Sequence, residues 1–297
     1  MRKSKKSGDR VFQLLIHAVL IVLSLAAILP FVLLFTSSLT DEKSLLVDGY
    51  SFFPKKWSVD AYAYVFRTNG ENVFRSYGIT FFITVLGTSI SLIIAPMLAY
   101  AISRRDYPRR GIISFLVFFT MIFNGGLVAS YIMWTRVFFI KNTIWALIFP
   151  SLLFNGFYVM LMRSYFQMNI HPALLEAAKI DGAGEFRIYC SIVMPLSLPI
   201  IATIGLMIAI GYWNDWQNGL YYITNPKLYS LQNLLNRILT NAKYLASISS
   251  SVSVQVELPS IGIRMAMAVI GVIPVMILYP FFQRYFIKGI TLGGVKE

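Results

Sequence analysis

From Val11 to Leu39 the chain carries no charged residue, and so long an apolar run leaves few ways to fold. A helix that crosses a bilayer needs about 20 such residues, whereas the apolar core of a secretory signal has roughly 7–15. Arg2, Lys3, Lys5, Lys6 and Arg10 precede the run, so it reads as an uncleaved span that starts in the cytoplasm. Five more apolar stretches follow, giving six at about 11–36, 78–102, 112–133, 143–162, 192–212 and 265–287. Their cores hold almost no ionisable residue. Hydrophobic residues make up 57% of the 297 and charged residues 13%, half the ~25% usual in soluble domains. Too few polar groups remain to coat a globule, which excludes a cytosolic enzyme. The sequence predicts an all-α polytopic membrane protein with six transmembrane helices.

Charge placement sets the orientation. The 103–111 loop holds Arg104, Arg105, Arg109 and Arg110; the 163–191 loop holds Arg163, Lys179 and Arg187; the tail holds Lys288 and Lys296. Lys and Arg are sparser in the segments 40–77, 134–142 and 213–264, where acids balance them. Short basic loops stay in the cytoplasm, so both termini are expected there. The organisation is a basic cytoplasmic N-terminus (1–10), a six-span domain (11–290) and a cytoplasmic tail (291–297). The net charge of +13 is spread over these loops and forms no basic face, so no nucleic-acid partner is expected. Cys190, the single cysteine, cannot make an internal bridge.

Local breakers refine this plan. Asn124-Gly125-Gly126 interrupts the third stretch, and Gly in a helix interior costs about 1 kcal/mol against Ala. The helix should break there, with a short interfacial or re-entrant helix over Tyr131–Phe139. Pro96, Pro274 and Pro280 should kink the second and sixth spans. Pro54, Trp57, Tyr62 and Tyr64 give the 40–77 segment an interfacial character, and Ser247 to Ser253 reads as a flexible loop.

The loop between the fourth and fifth spans is longer than a connector needs to be. Pro172 suits a first helical turn, so a helix is predicted over 172–180, stopped by Gly182. A second short helix, about 184–190, leads to Pro195 and Pro199 at the fifth span. Ala177, Ala178 and Ala183 leave room for another protein's groove to approach the backbone, and Glu176, Asp181 and Glu185 supply an acidic rim. On residue chemistry alone, a solvated loop with no partner fits equally well.

Glu176-Ala177-Ala178-x3-Gly182-x9-Ile192-x-Met194-Pro195 resembles the EAA signature of ABC importer permeases, EAA-x3-G-x9-I-x-L-P, with Met194 for Leu the one departure. The extended form, Glu176 to Ala183, is similar to the carbohydrate importers of the MalG type. Phe123 to Leu127, Trp213-Asn214-Asp215-Trp216, Leu231-Gln232 and the segment from Tyr279 to Gly289 are similar to the LplC/YtcP-like branch. That branch is associated with complex, often acidic, plant or algal oligosaccharides. The resemblance implies a type I ABC importer permease fold, with the loop as a coupling helix seated in a cytosolic ATPase. By position Glu176, Ala177, Ala178, Asp181, Gly182 and Ala183 would be its contacts. It also implies a second, homologous permease subunit in a heterodimer, two ATPase subunits that bind the ATP and Mg, and an extracytoplasmic solute-binding protein.

The chain itself has no GxxxxGK[ST] loop, so it is not expected to bind ATP. Neither His17 nor His171 has a Cys or His neighbour at metal spacing; His17 reads as a polar contact within the bundle and His171 as a cap of the coupling helix. No cofactor, metal or catalytic residue is expected. A membrane-embedded transferase would need ionisable residues in the spans, and an ion-coupled transporter paired discontinuous helices. Sugar rings present apolar faces and hydroxyls, so their path wants aromatic planes beside amides. Tyr212, Trp213, Asn214 and Trp216, within a segment that also holds Asp215, Gln217 and Asn218, offer that mixture, with Asn155 and Tyr158 on the fourth span facing it. An interfacial aromatic belt is the alternative. Arg136 and Arg264 are the nearest cations for an acidic sugar.

Overall fold

The computed structural model describes residues 7–249 and 260–291. Among them the chain is helical, with a single isolated bridge between Thr40 and Trp57. It divides into two units: Met1–Gly70 with Ile238–Ile273, and Glu71–Arg237 with Pro274–Glu297. The first basic residues, the end of the serine run and residues 292–297 of the tail lie outside the described residues.

In the first unit, α1 (Ser7–Ser38) is the apolar run met first in the sequence. Phe12, Leu15, Ile21 and Leu25 on it are exposed, as lipid-facing side chains are. His17, expected as a polar contact within the bundle, is exposed among the described residues, with its Nδ1 2.6 Å from the Gln13 carbonyl one turn back. After α2 (Glu42–Asp48), the Glu42 carboxylate accepts from the Ile261 and Gly262 amides at 3.0 and 2.8 Å. Those amides open α13 (Ser260–Thr291), where the first N–H groups of a helix have no partner within it. The Tyr62 hydroxyl donates to Ser38 Oγ at 2.8 Å and ties the start of α3 (Asp60–Ser103) to the end of α1.

The remainder of α3 belongs to the second unit with α4 (Arg110–Ile122), α5 (Gly126–Ile132), α6 (Gly156–Asn169), α7 (Pro172–Ile180), α8 (Glu185–Ile188), α9 (Met194–Leu196), α10 (Leu198–Trp213) and α11 (Gln217–Tyr222). α12 runs from Leu231 to Ser249. One core joins α3, α4, α6, α7, α8 and α10 through Ala99, Val117, Met162, Ala178, Ile188 and Ile204, among others. Lipid tails are as apolar as these side chains, so close backbone approach rather than water exclusion holds such a bundle. Gly87 on α3 shows the requirement: a Cβ there would run into the ring of Tyr212 on α10. A smaller core gathers Ile83, Leu147, Ile148, Tyr222 and Ile223.

The span pattern departs from the sequence expectation. Phe12–Ser38 and Gly70–Ser103 are each long and apolar enough to cross a bilayer. The third stretch bends by 114° between Arg110–Ile122 and Gly126–Val137, and the fifth by 81° between Glu185–Leu196 and Leu198–Trp213. The break at Asn124 falls where expected, yet the helix beyond it starts at Gly126, not Tyr131, and ends in a π turn over Met133–Val137. At the fourth stretch, 143–162, a 3-10 turn (Ile144–Leu147) precedes an irregular segment, and α6 begins only at Gly156. Its 14 residues span roughly 21 Å at 1.5 Å per residue, short of the ~30 Å of hydrocarbon in a bilayer. Pro96, Pro274 and Pro280, where kinks were expected, lie inside helices that run on through them. Ser247–Ser249 complete α12 instead of opening a loop.

Candidate functional site

The loop between α6 and α10 is built by local rules that the sequence displays. His171 caps α7, its Nδ1 accepting from the Ala173 amide at 3.3 Å, and Pro172 fills the first turn. At the other end the Ala183 amide donates to the Ala178 carbonyl at 2.9 Å and the Gly182 amide to Lys179 at 3.0 Å. This paired closure needs a left-handed residue between helix and exit. Gly182 supplies it at φ +79°, a conformation that costs other residues about 1–2 kcal/mol. The chain then turns into α8, which continues as a π turn over Tyr189–Val193.

The six contact residues divide on folding. Glu176, Ala177, Asp181 and Gly182 are exposed. Ala178 is buried in the core, with Ala183 packed against its edge. The EAA triplet therefore presents two residues outward and anchors the loop to the core with the third, Ala178. Leu174, Ile180 and Phe186 stand out of the same loop, Ile180 at 86% and Phe186 at 70% exposure. Sequence reading missed them because an apolar residue within a short amphipathic helix reads as core.

Behind this face lies a network of charges. Arg104, one residue past α3, donates from Nη2 and Nε to the two oxygens of Asp106 at 2.6 and 2.9 Å. Its Nη1 donates to the Tyr100 hydroxyl at 2.9 Å and reaches Glu185 at 3.4 Å. The Tyr100 hydroxyl donates to Glu185 Oε2 at 3.0 Å. Lys179 of α7 closes the ring, 3.0 Å from Asp106 and 2.9 Å from Glu185. The Arg104 guanidinium, then the Lys179 ammonium, holds the Asp106 carboxyl well below its ordinary range. Glu185 and then Asp106 raise Lys179 above its own. Glu185 is thus engaged within the chain although still exposed, while Glu176 and Asp181 make no ion pair among the described residues. Cavities of about 360 and 550 Å³ flank the network, one toward Met97, Phe186 and Tyr189 and the other toward Gln167, Pro172 and Leu175.

The six residues chosen for a sugar path also separate. Tyr212 is fully enclosed, its hydroxyl donating to the Ile148 carbonyl at 2.9 Å. Trp213 is buried beside Tyr77, ring centroids 6.3 Å apart. Asn214 and Trp216 are exposed. Asn155 caps α6, accepting from the Phe157 amide at 2.9 Å, and Tyr158 is half-buried against the core. The neighbouring polar groups are structural. Asp215 Oδ1 accepts from the Gln217 and Asn218 amides at 3.1 and 3.2 Å, and Asn218 Nδ2 donates to the Pro150 carbonyl at 2.9 Å. Burial pushes the Asp215 carboxyl, in the turn after α10, up to about 6. Arg136 and Arg264 are exposed on different units. Among the described residues no cluster of His, Cys, Asp and Glu fits a metal ion.

The chain belongs to the family of binding-protein-dependent transport system inner membrane components, which matches residues 67–292. It is 35% identical to the polygalacturonan/rhamnogalacturonan transport system permease protein YtcP of Bacillus subtilis (strain 168), over 97% of this chain and 99% of that protein. Protein LplC of the same organism is 36% identical over 91% of this chain and 89% of its own length. Among solved structures, a chain of a bacterial ABC transporter involved in the import of the acidic polysaccharide alginate superposes with a TM-score of 0.76 at 29% identity. The match covers 95% of this chain and 99% of that one. The chain is therefore a membrane-embedded transport permease rather than an ATPase.

Proposed function

We propose that the chain forms half of the translocation path of an ATP-driven importer of acidic oligosaccharides, and that the turn from α7 through Gly182 into α8 is its docking surface for an ATPase. The observation that carries this reading is the two-sided loop. Ala178 fixes α7 to the core, while Glu176, Ala177, Ile180 and Asp181 stand exposed. The substrate class rests on the likeness to YtcP and to the alginate transporter. In this reading both termini and the loop face the cytoplasm. The partners are a second, homologous permease, two ATPase subunits that hold the ATP and Mg, and an extracytoplasmic solute-binding protein. Closure of the ATPase pair pushes on the loop and tilts the bundle as a rigid body. Asn214 and Trp216, with Asn155 and Tyr158, are the residues we assign to the sugar path.

The test is uptake by the complex reconstituted in proteoliposomes, powered by ATP without an ion gradient. Glu176→Lys combined with Ala177→Trp should leave the protein inserted and folded. It should lower ATP-driven uptake at least about 30-fold, the loss produced when a docking hot spot is removed. Undiminished uptake by that double variant, or uptake that follows an ion gradient, contradicts the proposal.

A further inference from the structure

We infer that Arg104, Asp106, Lys179 and Glu185, closed by the Tyr100 hydroxyl, form a strut through which α3 moves as one body with the coupling loop. Asp106 and Lys179 are its positioning residues. The inference rests on reading the loop as the docking surface for an ATPase, and it names the route by which force leaves that surface.

Three features of the geometry carry it. The network joins parts of the chain far apart in sequence: Lys179 meets Asp106 across 73 positions and Tyr100 meets Glu185 across 85. Each carboxylate is shared by both cations, so no single side-chain rotation releases the loop from α3. An isolated surface pair contributes little to stability; a closed ring anchored on an Arg104 side chain only 12% exposed fixes relative position instead. Finally, the loop sorts its charges. Lys179 and Glu185, themselves partly exposed, are ion-paired to Asp106 and Arg104, whereas Glu176 and Asp181 stand exposed and make no ion pair among the described residues. Docking and bracing therefore use different residues of one short segment.

The experiment uses the full complex in proteoliposomes and measures sugar imported per ATP hydrolysed. Asp106→Asn and Lys179→Gln should each lower that ratio at least about fivefold, within the range of coupling free energies between linked sites, with the ATPase rate held within about twofold. The two together should do no more harm than either alone, since residues of one network are not additive, and Lys179→Arg should keep the wild-type ratio. An unchanged ratio in every variant overturns the strut while leaving the docking surface standing. So does a parallel fall of ATPase rate, uptake and thermal stability, which marks a brace for folding alone. A wild-type complex without ATP-dependent uptake overturns the docking reading and the strut together.

Discussion

Asp215 shows how a single residue can look like a ligand contact and serve as structure. Its place among Trp213, Asn214, Trp216 and Gln217 suggested a sugar site, yet one carboxylate oxygen caps α11 and the other, Oδ2, is buried without a hydrogen-bond partner among the described residues. Burial raises its proton affinity from an ordinary value of 3.8 to about 6, so the folded chain holds the proton more tightly than the unfolded one. Stability from this group is complete below about pH 4 and is lost as pH rises through 6. Asp215→Asn keeps the cap and removes the charge. Thermal unfolding in detergent should show the variant more stable than wild type at pH 7–8 by about 1–3 kcal/mol, the order of the free energy tied to raising a carboxyl from 3.8 to about 6 by burying its charge, with a flatter dependence between pH 4 and 6. An unchanged slope would show that Asp215 does not titrate as described. The acidic residue was legible in the sequence; its environment was not, because Pro150, whose carbonyl holds the neighbouring Asn218, is far away in the chain.

At the scale of elements, capping chemistry was readable and bending was not. His171, Pro172 and Gly182 announce α7 and its end, and the helix runs over Pro172–Ile180 as expected. Such signals act over a few residues, so one sequence displays them completely. Apolar length, by contrast, does not record direction. The stretch at 143–162 looks like a span, but Ser151 at φ +60° interrupts it, and Asn142 ties the preceding turn to Thr224 with amide and hydroxyl bonds. Arg104 likewise read as an orientation signal, since Lys179 and Glu185 are reached only after the helices pack. Gly182 gives this scale its test. Gly182→Ala should reduce ATP-driven uptake while Gly182→Asn retains more of it, because Asn tolerates the left-handed region at lower cost. Equal uptake by the two variants would separate the turn from coupling.

For the whole molecule, the transport family was legible from the EAA segment and the apolar runs, since both survive in residue order. Which EAA side chains face outward was not, because that depends on a core assembled from α3, α6, α8 and α10. Ala177 and Ala178 are chemically identical in the sequence and opposite in the fold. The account's central claim, that this loop is the docking surface, turns on that difference. The most direct measurement is cross-linking in the assembled complex, using a Cys190→Ser background with Ala177→Cys or Ala178→Cys and a short thiol-to-amine reagent. Ala177→Cys should link to an ATPase subunit, and Ala178→Cys should remain unlinked. Linking at Ala178→Cys but not at Ala177→Cys, or none at either, would contradict the account.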